Sequence, residues 1–146
     1  MKNAPSETVV RAWARLMRAQ QGALSSIEAA LKAARLPPLA WYDALLELER
    51  AGEEGLRPFE LERQMLLPQY GLSRLVDRIE SEGYLARLPC AEDGRGQIIA
   101  ITKAGRALRR RMWPIYAGAI GSAIAGRLSA GEAAALDGLL GKLLAP

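Results

Sequence analysis

The side chains best suited to chemistry lie between residues 57 and 111, and that chemistry is recognition of an anion. This stretch holds eleven Lys or Arg residues and seven Asp or Glu residues, for a net charge of +4. The residues before and after it carry equal numbers of each sign, so the whole net charge of the chain sits in its middle. A polyanion such as nucleic acid would be steered to this part of the chain.

Residue types that carry enzyme or metal chemistry are scarce. The chain has no histidine and a single cysteine, Cys90, which excludes an internal disulfide and a multi-cysteine zinc site. No phosphate-binding loop or nucleophile motif is present, so the sequence predicts neither an enzyme nor a cofactor. No apolar run approaches the roughly 20 residues that span a bilayer, and a cytoplasmic location is expected. Cys90 fits an ordinary unreactive thiol or a redox switch.

The basic stretch contains alternating helical and strand-like patterns that would position these side chains. In order, they are a short helix Pro58–Met65, a break at 66–68, a helix Gln69–Ser81, a strand 84–88, a polar turn 89–96 and a strand 97–101. Helix, turn, helix and hairpin make the plan of a winged helix-turn-helix, whose second helix enters a DNA major groove. The predicted fold class is mainly α with a small β-hairpin.

The second of these helices separates into an apolar and a polar face. Leu72, Leu75, Val76 and Ile79 recur at helical spacing and should point inward. The outer face would then carry Gln69, Tyr70, Ser73, Arg74, Asp77 and Arg78. Taken by themselves, these residues are better explained as a solvated helix face, but the following hairpin and the local positive charge favour a contact surface.

The turn between the strands places Arg95 between Gly94 and Gly96. Glycines permit a tight turn and close approach to another surface. An arginine at a hairpin tip suits a narrow minor groove, where the potential is most negative. The alternative is an exposed arginine without a partner.

Long apolar helices flank this unit. Residues Ser6–Arg35 repeat apolar side chains in steps of three and four, and Pro37 and Pro38 then end that helix. Thr102 should cap the helix that follows the hairpin, with a kink or break near Trp113 caused by Pro114. Ser129 and Glu132 form a capping box for a last helix. These helices carry more apolar surface than the middle of the chain can cover, which predicts a dimer interface.

Several segments together resemble the MarR-type (multiple antibiotic resistance regulator) winged helix-turn-helix transcription factors. They are residues 60–80, Gly83-Tyr84-Leu85, Asp93-Gly94-Arg95 and 98–106, and Trp41 to Leu48 also fits the second helix of that family. The resemblance covers nearly the whole chain. It departs from the common pattern at Pro68 and Gly71, and the glycine should weaken the start of the second helix by about 1 kcal/mol.

The resemblance implies a single domain over residues 1–146, with dimerisation helices 6–35 and 103–146 and a winged head 38–102. It implies a homodimer on a pseudo-palindromic operator in double-stranded DNA. Gln69, Tyr70, Ser73, Arg74 and Arg78 would contact the major groove and Arg95 the minor groove. Asp77 and Asp93 would brace the helix and the wing through nearby arginines.

The family also implies a repressor that a small, often aromatic, ligand releases from DNA. A candidate pocket would be lined by Trp13, Met17, Gln20, Trp41, Tyr42 and Trp113. Plain core packing explains the same aromatic residues. An alternative for the whole chain is a winged-helix module that binds a protein and not an operator.

Overall fold

The computed structural model describes residues 3–89 and 97–146, in which six α-helices accompany one antiparallel hairpin. The elements are α1 Glu7–Ala33, α2 Leu39–Ala51, α3 Pro58–Gln64, α4 Leu72–Ser81, β1 Leu85–Pro89, β2 Gln97–Ile101, α5 Lys103–Ile120 and α6 Ala130–Leu144. A 3₁₀ turn, Gly52–Glu54, follows α2, and a π-helical turn, Gly121–Ala125, follows α5. This confirms the predicted class, mainly α with a small hairpin in a winged-helix order.

The chain divides into two compact units. One, called here the head unit, is Leu31–Ile115, and the other, the terminal unit, combines Met1–Ala30 with Tyr116–Pro146. The helices α2, α3 and α4 and the hairpin lie in the head unit, while α6 lies in the terminal unit.

The core of the head unit is built from the apolar positions of every element in it. Side chains that are almost completely buried come from α2, α3, α4, both strands and α5, and they are Leu45, Leu48, Leu61, Val76, Ile79, Leu85, Ile99, Leu108 and Met112. Burying a side chain of this size contributes about 1.5–3 kcal/mol relative to leaving it in water. The core therefore fixes α4 with its apolar face inward.

The hairpin packs one face on this core. Its register pairs Leu85 with Ile101 and Pro89 with Gln97. Leu56, which precedes α3, extends the ladder by exchanging two backbone hydrogen bonds with Ile99, at 2.9 and 2.8 Å. This short bridge ties the entrance of α3 to the base of the hairpin.

The start predicted for the second helix of the pair was wrong. It begins at Leu72 and not at Gln69, and Gly71 is its N-cap with φ −146° and ψ 57°. Glycine is unfavourable inside a helix, and here it adopts a non-helical conformation immediately before the first turn. Gln69 and Tyr70 therefore belong to the connection between the helices, called here the inter-helix turn, residues 66–71.

Of the kink or break predicted near Trp113, the break does not occur, because α5 continues through Pro114 to Ile120. A proline inside a helix removes one hydrogen bond and costs about 3 kcal/mol. Leu108 and Met112 are fully buried in the turns before it and hold that part of the helix in place. The regular α-helix ends only at the π-helical turn, which begins at Gly121.

The terminal helices have the predicted caps and an unusual exposure. Thr102 accepts a hydrogen bond from the Gly105 N–H at 3.0 Å, and the Ser129 hydroxyl accepts one from the Glu132 N–H at 3.1 Å. Within the single chain α6 buries none of its side chains, although it is strongly apolar. Trp13 and Met17 of α1 are exposed as well.

Candidate nucleic-acid interface

The outer face of α4 is polar, exposed and held in place from behind. Ser73, Arg74, Asp77 and Arg78 are exposed, while Leu75, Val76 and Ile79 on the opposite side are buried. The structure thus brings together three of the predicted contact residues, Ser73, Arg74 and Arg78, and the predicted support residue Asp77 on one helical surface. Neither Arg74 nor Arg78 forms an ion pair within residues 3–89 and 97–146, so both guanidinium groups are available to an anion.

The two remaining predicted residues of this region lie in the inter-helix turn. Tyr70 is fully exposed. Gln69 is half-buried, and its Nε2 donates to the carbonyl oxygen of Leu67 at 3.4 Å. The connection, rather than the helix, therefore presents these two side chains.

An open groove of about 750 Å³ joins the inter-helix turn to both helices. It is lined by residues of α3, of the turn and of the first turn of α4, namely Pro58, Phe59, Glu62, Gln69, Tyr70, Gly71, Leu72, Ser73 and Arg74. Phe59 was not among the residues predicted from the sequence. Phe59 and Glu62 are three residues apart on α3, so they share one side of that helix, and Phe59 is 55% exposed.

Asp77 on α4 is engaged by Arg87 of β1. Arg87 donates from Nη2 to Asp77 Oδ1 at 2.5 Å and from Nη1 to Glu80 Oε1 at 2.5 Å. The backbone N–H of Arg87 also donates to Glu80 Oε2 at 3.2 Å. The hydrogen bond to Asp77, and then the charge of Glu80, raise the pKa of Arg87 despite partial burial. The network connects α4 to the first strand of the hairpin, and its one positive charge offsets part of the negative charge of two carboxylates beside the exposed arginines.

A buried carboxylate on α2 holds the inter-helix turn. Asp43 Oδ1 accepts from the Leu66 N–H at 2.9 Å, and Oδ2 accepts from the Leu67 N–H at 2.7 Å. Asp43 was not among the residues predicted from the sequence. An acidic side chain inside the apolar period of α2, between Tyr42 and Ala44, was the signal that could have found it.

Three predicted residues of the wing fall outside the described residues. Arg95 and Asp93, assigned to the minor groove and to wing support, lie in the segment 90–96, as does Cys90.

The residues of the candidate ligand pocket are distributed over both units. In the head unit, Tyr42 stacks on Trp113 with ring centroids 6.1 Å apart, and Trp41 meets Tyr84 edge to face at 6.2 Å. Trp13, Met17 and Gln20 are exposed on the part of α1 that belongs to the terminal unit.

Arg109 of α5 lies against Tyr42, one ring of the stacked pair Tyr42–Trp113. It forms an ion pair with Glu49, donates to Tyr42 Oη at 3.4 Å and lies 5.9 Å from the centre of that ring. Burial opposes its charge, but the bonds to Tyr42 and Glu49 outweigh that effect and raise the pKa of Arg109. Of the three arginines 109–111, only Arg110 and Arg111 are exposed, so Arg109 serves packing within the head unit.

Comparison with known proteins agrees with this geometry. A family model described as MarR family matches residues 36–96, which run from the start of α2 into the wing. Over these residues the chain is similar to the MarR family. Among curated MarR-type relatives, the multiple antibiotic resistance protein MarR of Escherichia coli is 29% identical over 89 residues. That alignment covers 61% of this chain and 62% of the relative's length.

Solved MarR-type structures share the fold over nearly the full chain. Sco3205 of Streptomyces coelicolor, in complex with DNA, has a TM-score of 0.85 at 23% identity and covers 97% of this chain and 89% of its own. A mutant MarR of Escherichia coli complexed with operator DNA has a TM-score of 0.80 at 24% identity, covering 97% and 100%. Among the helices of the described ranges, none has the length and apolarity needed to cross a membrane.

Proposed function

We propose that this MarR-type chain is a sequence-specific DNA-binding regulator of transcription that acts as a homodimer. The observation that carries the proposal is the pair Arg74 and Arg78, exposed on a helix whose other face is fixed in the core. Solved relatives of the same fold that hold DNA support it. In this proposal α4 enters the major groove, and Arg95 of the wing enters the minor groove.

The chemistry of the exposed side chains suits this arrangement. Arginine can donate two hydrogen bonds to one guanine, glutamine can pair with adenine, and serine can bond either base or phosphate. Arg74 and Ser73 supply two of these groups in the first turn of α4, and Gln69 supplies the third from the inter-helix turn. Asp77 and Glu80 would otherwise repel phosphates, and their pairing with Arg87 reduces that repulsion.

The test is a titration of duplex DNA followed by fluorescence anisotropy. A footprint on the intergenic DNA beside the gene, or selection from random duplexes, would supply the operator. Arg74→Ala should weaken operator binding by about tenfold or more, since a good base contact is worth roughly 1–3 kcal/mol. Arg95→Ala should weaken it similarly, and affinity should fall steeply with salt as counterions are released.

Arg18→Ala is the matched control, because it removes an exposed arginine of α1 in the terminal unit. It changes the net charge by the same amount and should alter affinity by less than about twofold, the difference expected of a screened charge that makes no DNA contact in this proposal. Equal losses in the Arg74 and Arg18 variants would contradict the assignment of the interface to α4.

The exposed apolar helices of the terminal unit support the homodimer. α6 buries no side chain in the single chain, and Leu136, Leu139 and Leu143 on it are exposed. A contiguous apolar surface of this kind marks an interface between proteins. Light scattering should give twice the chain mass, and Leu139→Glu should shift the protein to monomer and abolish operator binding. A wild-type monomer at micromolar concentration would refute this part.

Repression relieved by a small aromatic ligand is the finer part of the proposal. The stacking of Tyr42 on Trp113 in the head unit supports it, and Trp13, Met17, Gln20 and Trp41 remain predicted contributors. A phenolic compound that quenches tryptophan fluorescence should also release DNA, and a reporter driven by the operator should rise. A broad panel that changes neither signal would remove the ligand.

A protein-binding module is the second candidate. Phe59, Leu66 and Tyr70 are exposed apolar side chains of the head unit, and they favour a protein partner over a phosphate backbone. The DNA titration separates the two, because a protein-binding module would show no duplex selected above random sequence.

A further inference from the structure

We infer that Asp43 is a positioning residue for DNA recognition: its buried carboxylate fixes the inter-helix turn, and through it the side chains of Gln69 and Tyr70 and the start of α4. The inference rests on the proposed DNA binding and adds a residue that does not itself reach the nucleic acid. Asp43 is only 6% exposed, so it lies beneath the contact surface rather than on it.

The inter-helix turn has little packing of its own. Met65 before it is buried and Leu72 after it is half-buried, but Leu66 is 74% exposed and Pro68, Tyr70 and Gly71 are exposed as well. Segments with few buried apolar contacts open at low free energy unless other interactions hold them. The turn therefore depends on its hydrogen bonds.

The ends of the neighbouring helices do not supply a local anchor. The N-cap of α4, Gly71, makes no side-chain hydrogen bond to the first turn of the helix. Met65, which follows α3, is in an extended conformation. The hydrogen bond between the Gln69 amide and the Leu67 carbonyl lies wholly within the turn. Within the described ranges, the side-chain hydrogen bonds that join the turn to another element are the two accepted by Asp43.

The two hydrogen bonds use both oxygens of one carboxylate. Two consecutive backbone N–H groups, those of Leu66 and Leu67, each meet one oxygen of the same carboxylate. A carboxylate is an acceptor at both oxygens, whereas an amide of the same shape accepts at one and donates at the other. Asp43→Asn would thus oppose an N–H donor with an NH₂ group and leave one bond unmade.

The first experiment follows amide hydrogen exchange. In the wild-type protein the Leu66 and Leu67 amides should exchange at least about tenfold more slowly than in an unstructured peptide, because a formed hydrogen bond must open first. In Asp43→Asn their exchange should accelerate by about tenfold, the factor that corresponds to one lost hydrogen bond, while the Ile79 amide of α4 keeps its protection. Wild-type exchange at the peptide rate would overturn the inference even if the variant failed to fold.

The second experiment measures DNA binding by the folded variant. Asp43→Asn should lose about tenfold in affinity for the operator and keep its affinity for random duplex within about twofold, because phosphate contacts by exposed arginines persist. Glu47→Gln, which removes a carboxylate paired with Arg50 on the same helix, should change neither value. A purely structural role would lower both affinities together with the folded fraction seen by circular dichroism.

The outcomes separate this inference from the proposed function. A wild-type protein that selects no duplex refutes the DNA-binding proposal, while the exchange data still decide whether Asp43 holds the turn. Asp43→Asn with wild-type operator affinity, or with unchanged exchange at Leu66 and Leu67, refutes the positioning role.

Discussion

Replacing Arg87 by methionine should disconnect α4 from the hairpin. The arginine binds Asp77 and Glu80 through separate nitrogens, each at 2.5 Å, and methionine keeps most of the aliphatic stem without the charge. The side chain of Asp77 is 63% exposed, so solvent screens that pair strongly, whereas Glu80 is 37% exposed and also bonds the Arg87 backbone. Partly exposed pairs are worth roughly 0.2–1 kcal/mol each, which gives a loss of about 1 kcal/mol for the network.

This loss corresponds to a fall of about 2–4 °C in Tm for a chain of this size. The effect on DNA binding is electrostatic, since the variant leaves two carboxylates uncompensated on α4. A charge about 10 Å from a phosphate is worth about 0.4 kcal/mol in water, and two or three such phosphates amount to about 1 kcal/mol. Operator affinity should therefore fall about fivefold at low salt, and the difference should shrink as salt screens it.

The assays are thermal unfolding and DNA titration at two salt concentrations. Arg50→Met is the matched control, because it breaks the Arg50–Glu47 pair of α2 and removes the same charge. Arg50 is 65% exposed, and its loss should leave Tm and operator affinity nearly unchanged. Comparison of Arg87→Met, Asp77→Asn and the double variant should give a coupling energy of roughly 0.5 kcal/mol or more. No coupling, together with an unchanged Tm, would show that the bridge does not form in solution.

The pH dependence of this network follows from the raised pKa of Arg87. A group whose pKa is raised in the folded state contributes its full stability below its ordinary pKa and loses it only as pH rises through the folded value. Arg87 should therefore stabilise α4 equally across the whole neutral range. A stability difference between wild type and Arg87→Met that disappears near neutral pH would contradict this interpretation.

Two further predictions concern the helices outside this network. Gly105→Ala should destabilise the chain by about 1–3 kcal/mol, because an added Cβ would collide with the Tyr84 carbonyl. Gly118→Ala on the same helix places its Cβ in open space and should stabilise the chain by up to about 1 kcal/mol. Urea unfolding of both variants measures the two changes, and equal effects would contradict this prediction. The backbone N–H of Ser129, and then its side chain, lower the pKa of Glu132. The contribution of this pair to folding stability is therefore present above the ordinary carboxyl pKa and is lost as pH falls through the lowered pKa. A ¹³C titration should show that pKa rising in Ser129→Pro, which removes the N–H at a φ of −66° that proline accepts, and an unmoved pKa would refute the assignment.

The elements with strong local signals were predictable from the sequence. Period 3.6 in α1 and α2, the prolines between them, the Thr102 cap and the Ser129–Glu132 box all act within a few residues, and the structure has each of them. The hairpin was predicted within one residue, because strand alternation and the polar turn are also local. The apolar positions 75, 76 and 79 then fixed which face of α4 would be buried.

Details that depend on distant residues were not predictable in the same way. Periodicity suggested that the second helix includes Gln69, although Gly71 was expected to weaken its start. The hydrogen bonds that Asp43 accepts from Leu66 and Leu67 join residues 23 and 24 positions apart in the chain, and no local pattern predicts them. Likewise, the grouping of Arg87 with Asp77 and Glu80 requires the hairpin to fold back on α4, and no spacing within α4 announces it.

The hydrogen bonds of Asp43 and the ion pairs of Arg87 both influence how the polar surface of α4 would meet DNA. The core holds α4 through its apolar face, but core packing alone does not fix where the polar side chains at its start point. Asp43 fixes the turn at one end of the helix, and Arg87 ties Asp77 and Glu80 toward the other. Arg74 and Arg78 lie between these anchors without an ion pair to any described residue. Loosening the anchor at Asp43 should therefore reduce discrimination between duplexes more than total affinity, since the arginines can still reach phosphates but no longer reach base edges in a fixed register.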